Sequence, residues 1–150
     1  MTADAKRTKS LVRVIFGDTD AMGIAYYANY LKWFEIGRTD LLKALDRPYT
    51  AYIAEDRHLP VTECFCRYRA PARYNDLLEI ESMLTKISRA TLTVSYLIRN
   101  HESGQLLAQG YTTHALVDGK GMIQLFDRDF IARMKAFLVD VPEITGGGGK

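Results

Sequence analysis

One strongly apolar helical segment stands beside five long strand-like segments, and that ratio constrains the fold more than any other feature of the chain. From about Tyr27 to Leu45, apolar residues recur at helical spacing, and Pro48 ends the segment. Residues 10–16 and 58–118 are instead rich in β-branched and aromatic residues, with short turns between the runs. The helix is apolar over too much of its surface to pack on one side only. We therefore predict an α+β fold in which a five-stranded antiparallel sheet wraps around one long central helix.

The 150 residues suit a single domain with short flexible ends. We expect a flexible N-terminus over residues 1–9, one domain over 10–140, and a flexible tail over 141–150 that ends in GGGGK. The strands are predicted at 10–16, 59–70, 76–87, 90–100 and 105–118, and a closing amphipathic helix at 127–138.

Two features of these elements predict how they pack. Gly37 lies inside the helical segment at a cost of about 1 kcal/mol relative to Ala, so we expect another element to approach the helix closely there. A curled sheet also leaves edge strands, and unpaired edges invite pairing between subunits. We therefore predict a homodimer with a continuous sheet.

Composition excludes several classes of function. A net charge of +2 is too small to indicate a nucleic-acid partner. The sequence contains no run of 18 apolar residues and no signal-peptide pattern, so we expect a cytoplasmic protein without a membrane segment. Cys64 and Cys66 are expected to be free thiols, and no Cys or His pair has the spacing of a metal site.

Two carboxylates, Asp18 and Asp20, directly precede the apolar helix. A helix N-terminus carries unsatisfied N–H groups and a partial positive charge, which favours a developing oxyanion. A carboxylate a few residues upstream can face the same carbonyl carbon. We expect Asp18 to bond to loop backbone, as turn aspartates do, and Asp20 to act in chemistry.

The segment GDTDAMGIAYYANYLKWFE resembles the hotdog-fold thioesterases, specifically the 4-hydroxybenzoyl-CoA thioesterase family and its Tol-Pal-associated acyl-CoA thioesterase branch. The matching residues are Asp20, Gly23, Tyr27 and the pair Asn29 and Tyr30. Residues 74–82 and 115–121 also resemble segments of that family, so that the resemblance covers roughly residues 10 to 130.

The resemblance implies hydrolysis of an acyl-CoA thioester. Asp20 would be the catalytic carboxylate, as nucleophile or general base, and the backbone N–H of Tyr27 would bind the thioester oxygen. Gly23 would lie at the substrate. Coenzyme A is then part of the substrate and product, and no separate cofactor or metal is expected. The Tol-Pal-associated branch often has His where this chain has Tyr27, which argues against a His-assisted mechanism. The resemblance also implies that the predicted homodimer can pair with a second dimer to form a tetramer.

The phosphates of CoA need cations, and family similarity places CoA contacts near the turn that follows residue 86. Lys86 and Arg89, with the hydroxyls of Ser88 and Thr91, are the candidates there. Two solvated turn cations are the alternative interpretation. Further basic candidates without positional support are Arg67, Arg69, Arg73 and Arg128.

Two alternatives remain open. Glu35 could replace Asp20, because other hotdog thioesterases use a Glu of the central helix, although a surface pair with Arg38 is the simpler interpretation. The chain could also be a non-catalytic acyl-CoA-binding or scaffold subunit of the same fold. The sequence motifs of hotdog dehydratases are absent.

Overall fold

Five strands form one antiparallel sheet in the order β1-β3-β4-β5-β2. The computed structural model describes residues 6–141. The strands are β1 (Arg7–Arg13), β2 (Val61–Tyr68), β3 (Leu77–Ile87), β4 (Thr91–Asn100) and β5 (Leu106–Ala115). The helices are α1 (Asn29–Leu45), α2 (Tyr49–Ala54) and α3 (Arg128–Lys135). The prediction of a five-stranded antiparallel sheet with one long helix and a closing helix is confirmed.

Strand β1 begins at Arg7, three residues before its predicted start. Residues 7–9 were predicted to be flexible, but they pair with β3, where Arg7 contacts Glu81 at 2.9 Å and Lys9 lies 3.7 Å from Glu79. The prediction was wrong here because a polar strand on a sheet edge has no apolar alternation. Residues 1–5 and 142–150, which hold the rest of the predicted flexible ends, lie outside the described residues.

Helix α1 is buried along one face, and the sheet curves around it. Its core residues pack against the inner face of β1 and β3 and reach β4 and β5. Phe34 stacks on Tyr96 of β4 with ring centroids 4.2 Å apart. The buried residues of α1 are Tyr30, Trp33, Phe34, Gly37, Leu41, Leu42 and Leu45. The helix-in-sheet arrangement expected from the apolar spacing is therefore present.

Helix α2 was not predicted, because six residues are too few to show a period. Tyr52 anchors it, since its side chain is buried and its hydroxyl donates to Asp46 at 2.7 Å. Arg133 of α3 contacts the same carboxylate at 3.0 Å, so that Asp46 joins all three helices. No helix within residues 6–141 has the length and apolar content needed to cross a membrane.

The two ends of the sheet carry different connections. Arg13, Leu77 and Tyr68 lie at one end, which we call the loop end because residues 14–28 lead from it to the start of α1. The opposite end, called the turn end, carries the β3–β4 turn at residues 88–90. Helix α1 runs from the loop end to the turn end. At the turn end, the Leu59 carbonyl lies 2.9 Å from His114 Nδ1.

The two edge strands differ in how they are protected. Strand β1 carries the charged side chains of Arg7 and Lys9, which form ion pairs with β3, and charges on an edge strand disfavour pairing with another chain. Strand β2 is exposed or half-buried along its whole length, including Val61 (48% exposed) and Tyr68 (45% exposed). An exposed edge that carries apolar side chains is the one suited to pair with another chain.

Gly37→Ala should destabilise the protein, because β3 occupies the space that a Cβ needs. A Cβ at position 37 would overlap Ser82 Oγ and lie 2.8 Å from Ile80 Cγ2. We expect a loss of about 1–3 kcal/mol in the free energy of unfolding, which outweighs the roughly 1 kcal/mol gained from helix propensity. Urea denaturation measures the loss. Thr39→Ala, at an exposed position of α1, is the control, and equal stability of the two variants would contradict the prediction.

Candidate active site

Asp18 is the buried centre of the loop that precedes α1. Its Oδ2 accepts a hydrogen bond from the Ile15 N–H at 3.0 Å, and its Oδ1 lies 2.9 Å from Nζ of Lys32. Its carbonyl oxygen accepts from the Tyr26 N–H and from Nδ2 of Asn29, both at 2.8 Å. The prediction that Asp18 bonds to loop backbone is confirmed. Its ion pair with α1 was not predicted.

Asp20 lies at the exposed tip of the same loop. The Gly23 N–H donates to the Asp20 carbonyl at 2.9 Å, and the Met22 N–H donates to Asp20 Oδ1 at 2.8 Å. Gly23 has a φ of 79°, which glycine adopts without strain. Among residues 6–141, Oδ2 of Asp20 has no hydrogen-bond donor. One carboxylate oxygen is therefore fixed and the other is open. A contact of Gly23 with substrate stays a prediction.

The turn that leads into helix α1 holds two N–H groups without an acceptor among residues 6–141. The helix begins at Asn29 rather than at the predicted Tyr27, which lies in the turn just before it. The N–H groups of residues 29–31 donate to carbonyls three residues earlier, whereas those of Tyr27 and Ala28 have no acceptor in the described part of the chain. The Tyr68 hydroxyl donates to the Tyr27 carbonyl at 2.9 Å and fixes this turn. These N–H groups can donate to an oxygen atom of a ligand.

A cavity of about 320 Å³ opens beside the helix start. Ile24 and Ala25 of the Asp20 loop form one wall. The remaining lining residues are Tyr27, Tyr30, Tyr68, Arg69, Ala70 and Pro71. A mostly apolar cavity next to open N–H donors can hold an acyl group or the linear arm of a thioester.

The predicted phosphate-binding residues lie at the turn end, away from Asp20 and Tyr27. Lys86 is the second-last residue of strand β3, and the Ser88 hydroxyl lies 2.6 Å from that of Thr91. Arg89 is exposed, and its carbonyl accepts from the Phe126 N–H. The 11 residues of β3, at roughly 3.3 Å each, separate this turn from the loop end. That span exceeds the reach of a pantetheine arm, so one chain does not bring the two sets together.

Glu35 and Arg38 do not form the predicted surface pair. Within residues 6–141 neither has an ion-pair partner. Both line a second cavity, also of about 320 Å³, between α1 and the exposed strand β2. Glu35 thus does not line the Tyr27 cavity.

A family model described as the thioesterase-like superfamily matches residues 14–141. The chain belongs to the thioesterase-like superfamily. It is 36% identical over 92 residues to the acyl-CoA thioester hydrolase YbgC of Escherichia coli, covering 61% of this chain and 69% of that protein. It is 31% identical over 112 residues to the 1,4-dihydroxy-2-naphthoyl-CoA hydrolase of Synechococcus elongatus, with 72% of this chain and 80% of that protein covered.

Solved structures agree with this membership of the superfamily. The DHNA-CoA thioesterase from Staphylococcus aureus superposes with a TM-score of 0.80 at 25% identity, covering 87% of this chain and 88% of the other. The predictions of a hotdog fold and of a thioester hydrolase are therefore confirmed.

Two contributors to this thioesterase-like site gave no usable signal in the sequence. Lys32 lies on a helix among other charged residues, so its pairing with Asp18 cannot be predicted from spacing. Tyr68 lies 41 residues from Tyr27 in sequence, and only the fold brings its hydroxyl to the helix start. Its apolar neighbours in β2 predicted a strand but not this contact.

Asp18→Ala should destabilise the protein far more than Asp20→Ala. The first change leaves the Ile15 N–H and the Lys32 ammonium without their acceptor and should cost about 1–3 kcal/mol. The second removes one exposed hydrogen bond and should cost less than about 1 kcal/mol. Thermal or urea unfolding of the two matched variants measures the difference. Equal losses would mean that Asp18 does not organise the loop.

Proposed function

We propose that the protein hydrolyses acyl-CoA thioesters, with Asp20 as the catalytic carboxylate and the Tyr27 N–H as the oxyanion donor. One observation carries this proposal: a single loop presents an open carboxylate oxygen and also ends at backbone N–H groups that have no acceptor among residues 6–141. A thioester carbonyl placed between them would meet both groups. The names of the relatives support an acyl-CoA as the substrate.

Charge development explains what each group would do. As the carbonyl carbon becomes tetrahedral, negative charge grows on its oxygen, and the Tyr27 N–H at the positive end of α1 would stabilise that charge. Asp20 would either attack the carbon or remove a proton from an attacking water. In the nucleophilic route, breaking the carbon–sulfur bond would leave a mixed anhydride on Asp20 and a CoA thiolate that takes a proton from solvent, and water would then hydrolyse the anhydride to the free acid. In the general-base route, the attacking water would supply the hydroxyl of the product acid, and the proton held by Asp20 would pass to the leaving sulfur, so that CoA leaves as the thiol. These steps require no further cofactor.

Asp20→Asn should lower kcat by at least about 100-fold, because it removes the nucleophile or base. Release of free thiol from a panel of acyl-CoAs measures the effect. Tyr27→Phe is the matched control, since it keeps the backbone N–H and should stay near wild-type turnover. An Asp20→Asn variant with near-normal kcat would exclude Asp20. A wild-type protein that binds acyl-CoAs but releases no thiol would favour the non-catalytic subunit.

We further propose a homodimer formed by antiparallel pairing of β2 with its copy. The exposed edge and its apolar side chains support this arrangement. In such a dimer the strands of the two subunits run in opposite directions, so the loop end of one chain lies beside the turn end of the other. A dimer of dimers stays a prediction from resemblance, because no contact within one chain supports it.

This dimer supplies what one chain lacks. In this dimer, β2 of one chain neighbours β2 of the partner subunit, which is followed by that subunit's β5 and then by its β4. The Arg89 turn of the partner subunit leads into that β4, so it lies three strand spacings of about 4.8 Å each from β2 of the first chain. A lateral distance of roughly 15 Å suits a pantetheine arm far better than the length of β3. We propose that Asp20 and Tyr27 act on a substrate whose phosphates are bound by Lys86, Ser88, Arg89 and Thr91 of the partner subunit.

A mixed dimer tests this arrangement through KM. Arg89→Ala alone should raise KM by about 10-fold or more with little change in kcat, because a phosphate contact is equal in ground and transition states. In a heterodimer of Asp20→Asn and Arg89→Ala chains, purified by two tags, one site combines the intact Asp20 with the intact Arg89. We expect half the wild-type kcat at wild-type KM. Half the kcat at the raised KM would place both residues in one chain.

A cytoplasmic location is proposed on the chemistry of the thiols. Cys64 and Cys66 are both free, and burial raises the pKa of Cys66 to about 11. Unpaired cysteines on an exposed strand suit a reducing compartment.

A further inference from the structure

The cavity between α1 and β2 contains two opposite charges that have no ion-pair partner among residues 6–141. We call it the α1 groove, and its lining residues are Leu31, Lys32, Glu35, Arg38, Val61, Cys64 and Thr112. Lys32 is paired with Asp18. Glu35 is exposed and Arg38 is half-buried, and among residues 6–141 neither has a carboxylate or cation within ion-pair distance. A half-buried cation without a counter-ion is costly, so Arg38 favours a carboxylate brought within ion-pair distance.

A chain of hydrogen bonds beneath the groove has only one possible direction. His114 Nδ1 lies 2.9 Å from the Leu59 carbonyl, which can only accept, so Nδ1 carries the proton. His114 Nε2 must then accept from the Thr112 hydroxyl at 2.8 Å. The Thr112 oxygen in turn accepts from the Tyr96 hydroxyl at 2.6 Å. The Tyr96 oxygen keeps only lone pairs, which attract a cation.

Arg38 is the cation beside that oxygen. Burial raises the pKa of Tyr96, and the neighbouring Arg38 guanidinium opposes the rise. Burial also lowers the pKa of His114 to about 4, with Arg38 acting in the same direction, so that His114 is neutral at pH 7. The hydrogen-bonded side chains of His114, Thr112 and Tyr96 therefore hold Arg38 at the base of the groove and leave its positive charge uncompensated. Among residues 6–141, Arg38 thus has the Tyr96 hydroxyl beside it but no carboxylate within ion-pair distance.

We propose that the α1 groove receives Glu35 of the partner subunit, so that two Glu35–Arg38 ion pairs join the two copies of α1. A two-fold interface is self-complementary: if residue i contacts residue j, then j contacts i. Glu35 and Arg38 are three residues apart on the α1 surface that faces the exposed β2 edge, and antiparallel copies of α1 would match each charge with its opposite. The inference rests on the proposed dimer and adds the contact that fixes its register.

Charge reversal tests the ion pairs directly. Glu35→Arg and Arg38→Glu each place like charges opposite one another twice per dimer, and each should raise the dimer Kd by about 100-fold or more. The double variant should dimerise again, as should an equimolar mixture of the two single variants. Sedimentation velocity over a dilution series measures the Kd. Lys43→Glu, at an exposed position of α1 outside the groove, is the charge-matched control and should leave the Kd unchanged.

Each other outcome overturns the inference in a recognisable way. Single variants that dimerise like the wild type would exclude the ion pairs. Single variants that dissociate but do not pair with each other would indicate an interaction within one chain. Intact dimers with a raised KM would assign the groove to the substrate. A monomeric wild type would exclude the dimer and with it this inference. A wild-type dimer that hydrolyses thioesters, with variants whose dimer Kd is unchanged, would exclude the ion pairs and leave the proposed hydrolysis unaffected. Glu35 is exposed, so its variant reports even where Arg38→Glu does not fold.

Discussion

Burial of helix α1 inside the curved sheet is the constraint on which the other features depend. The close approach at Gly37 brings the helix backbone against Ser82 and Ile80, and Phe34 stacks on Tyr96 across the core. This packing fixes where the helix starts, because the helix axis can no longer shift along the sheet. The open N–H groups at residues 27–28 are therefore held at the loop end rather than carried on a mobile segment.

The two aspartates ahead of the helix divide structure from chemistry. Asp18 is buried, and each of its two carboxylate oxygens already has a partner, Ile15 N–H for one and Lys32 Nζ for the other. Asp20 is exposed and keeps one oxygen open. Because the first carboxylate organises the loop, the second can be held at its tip with little support of its own. The open oxygen of Asp20 is the one that the proposed mechanism uses.

Sequence patterns predicted the elements well and the long-range contacts poorly. The period of α1 and the β-branched runs of β3 and β4 are local signals, and they predicted the fold class, whereas the role of Asp20 stays a prediction. Helix α2 is too short to show a period, and the polar start of β1 has no alternation. The contact between Tyr68 and Tyr27, and the distance between Arg89 and Asp20, depend on which strands neighbour one another. No local pattern encodes that order.

The opposite placement of the two predicted half-sites follows from the same topology. Strand β1 delivers the Asp20 loop to one end of the sheet, and the antiparallel hairpin of β3 and β4 must turn at the other end. A chain of this topology cannot bring both to one substrate by itself, whatever its side chains. In the proposed dimer, antiparallel pairing of two copies would reverse the ends and would join complementary halves twice. The exposed β2 edge and the unpaired charges of the α1 groove lie on the surface where that pairing would occur. One dimer interface would therefore pair the β2 edge, give the groove charges their counter-ions and bring the two half-sites together.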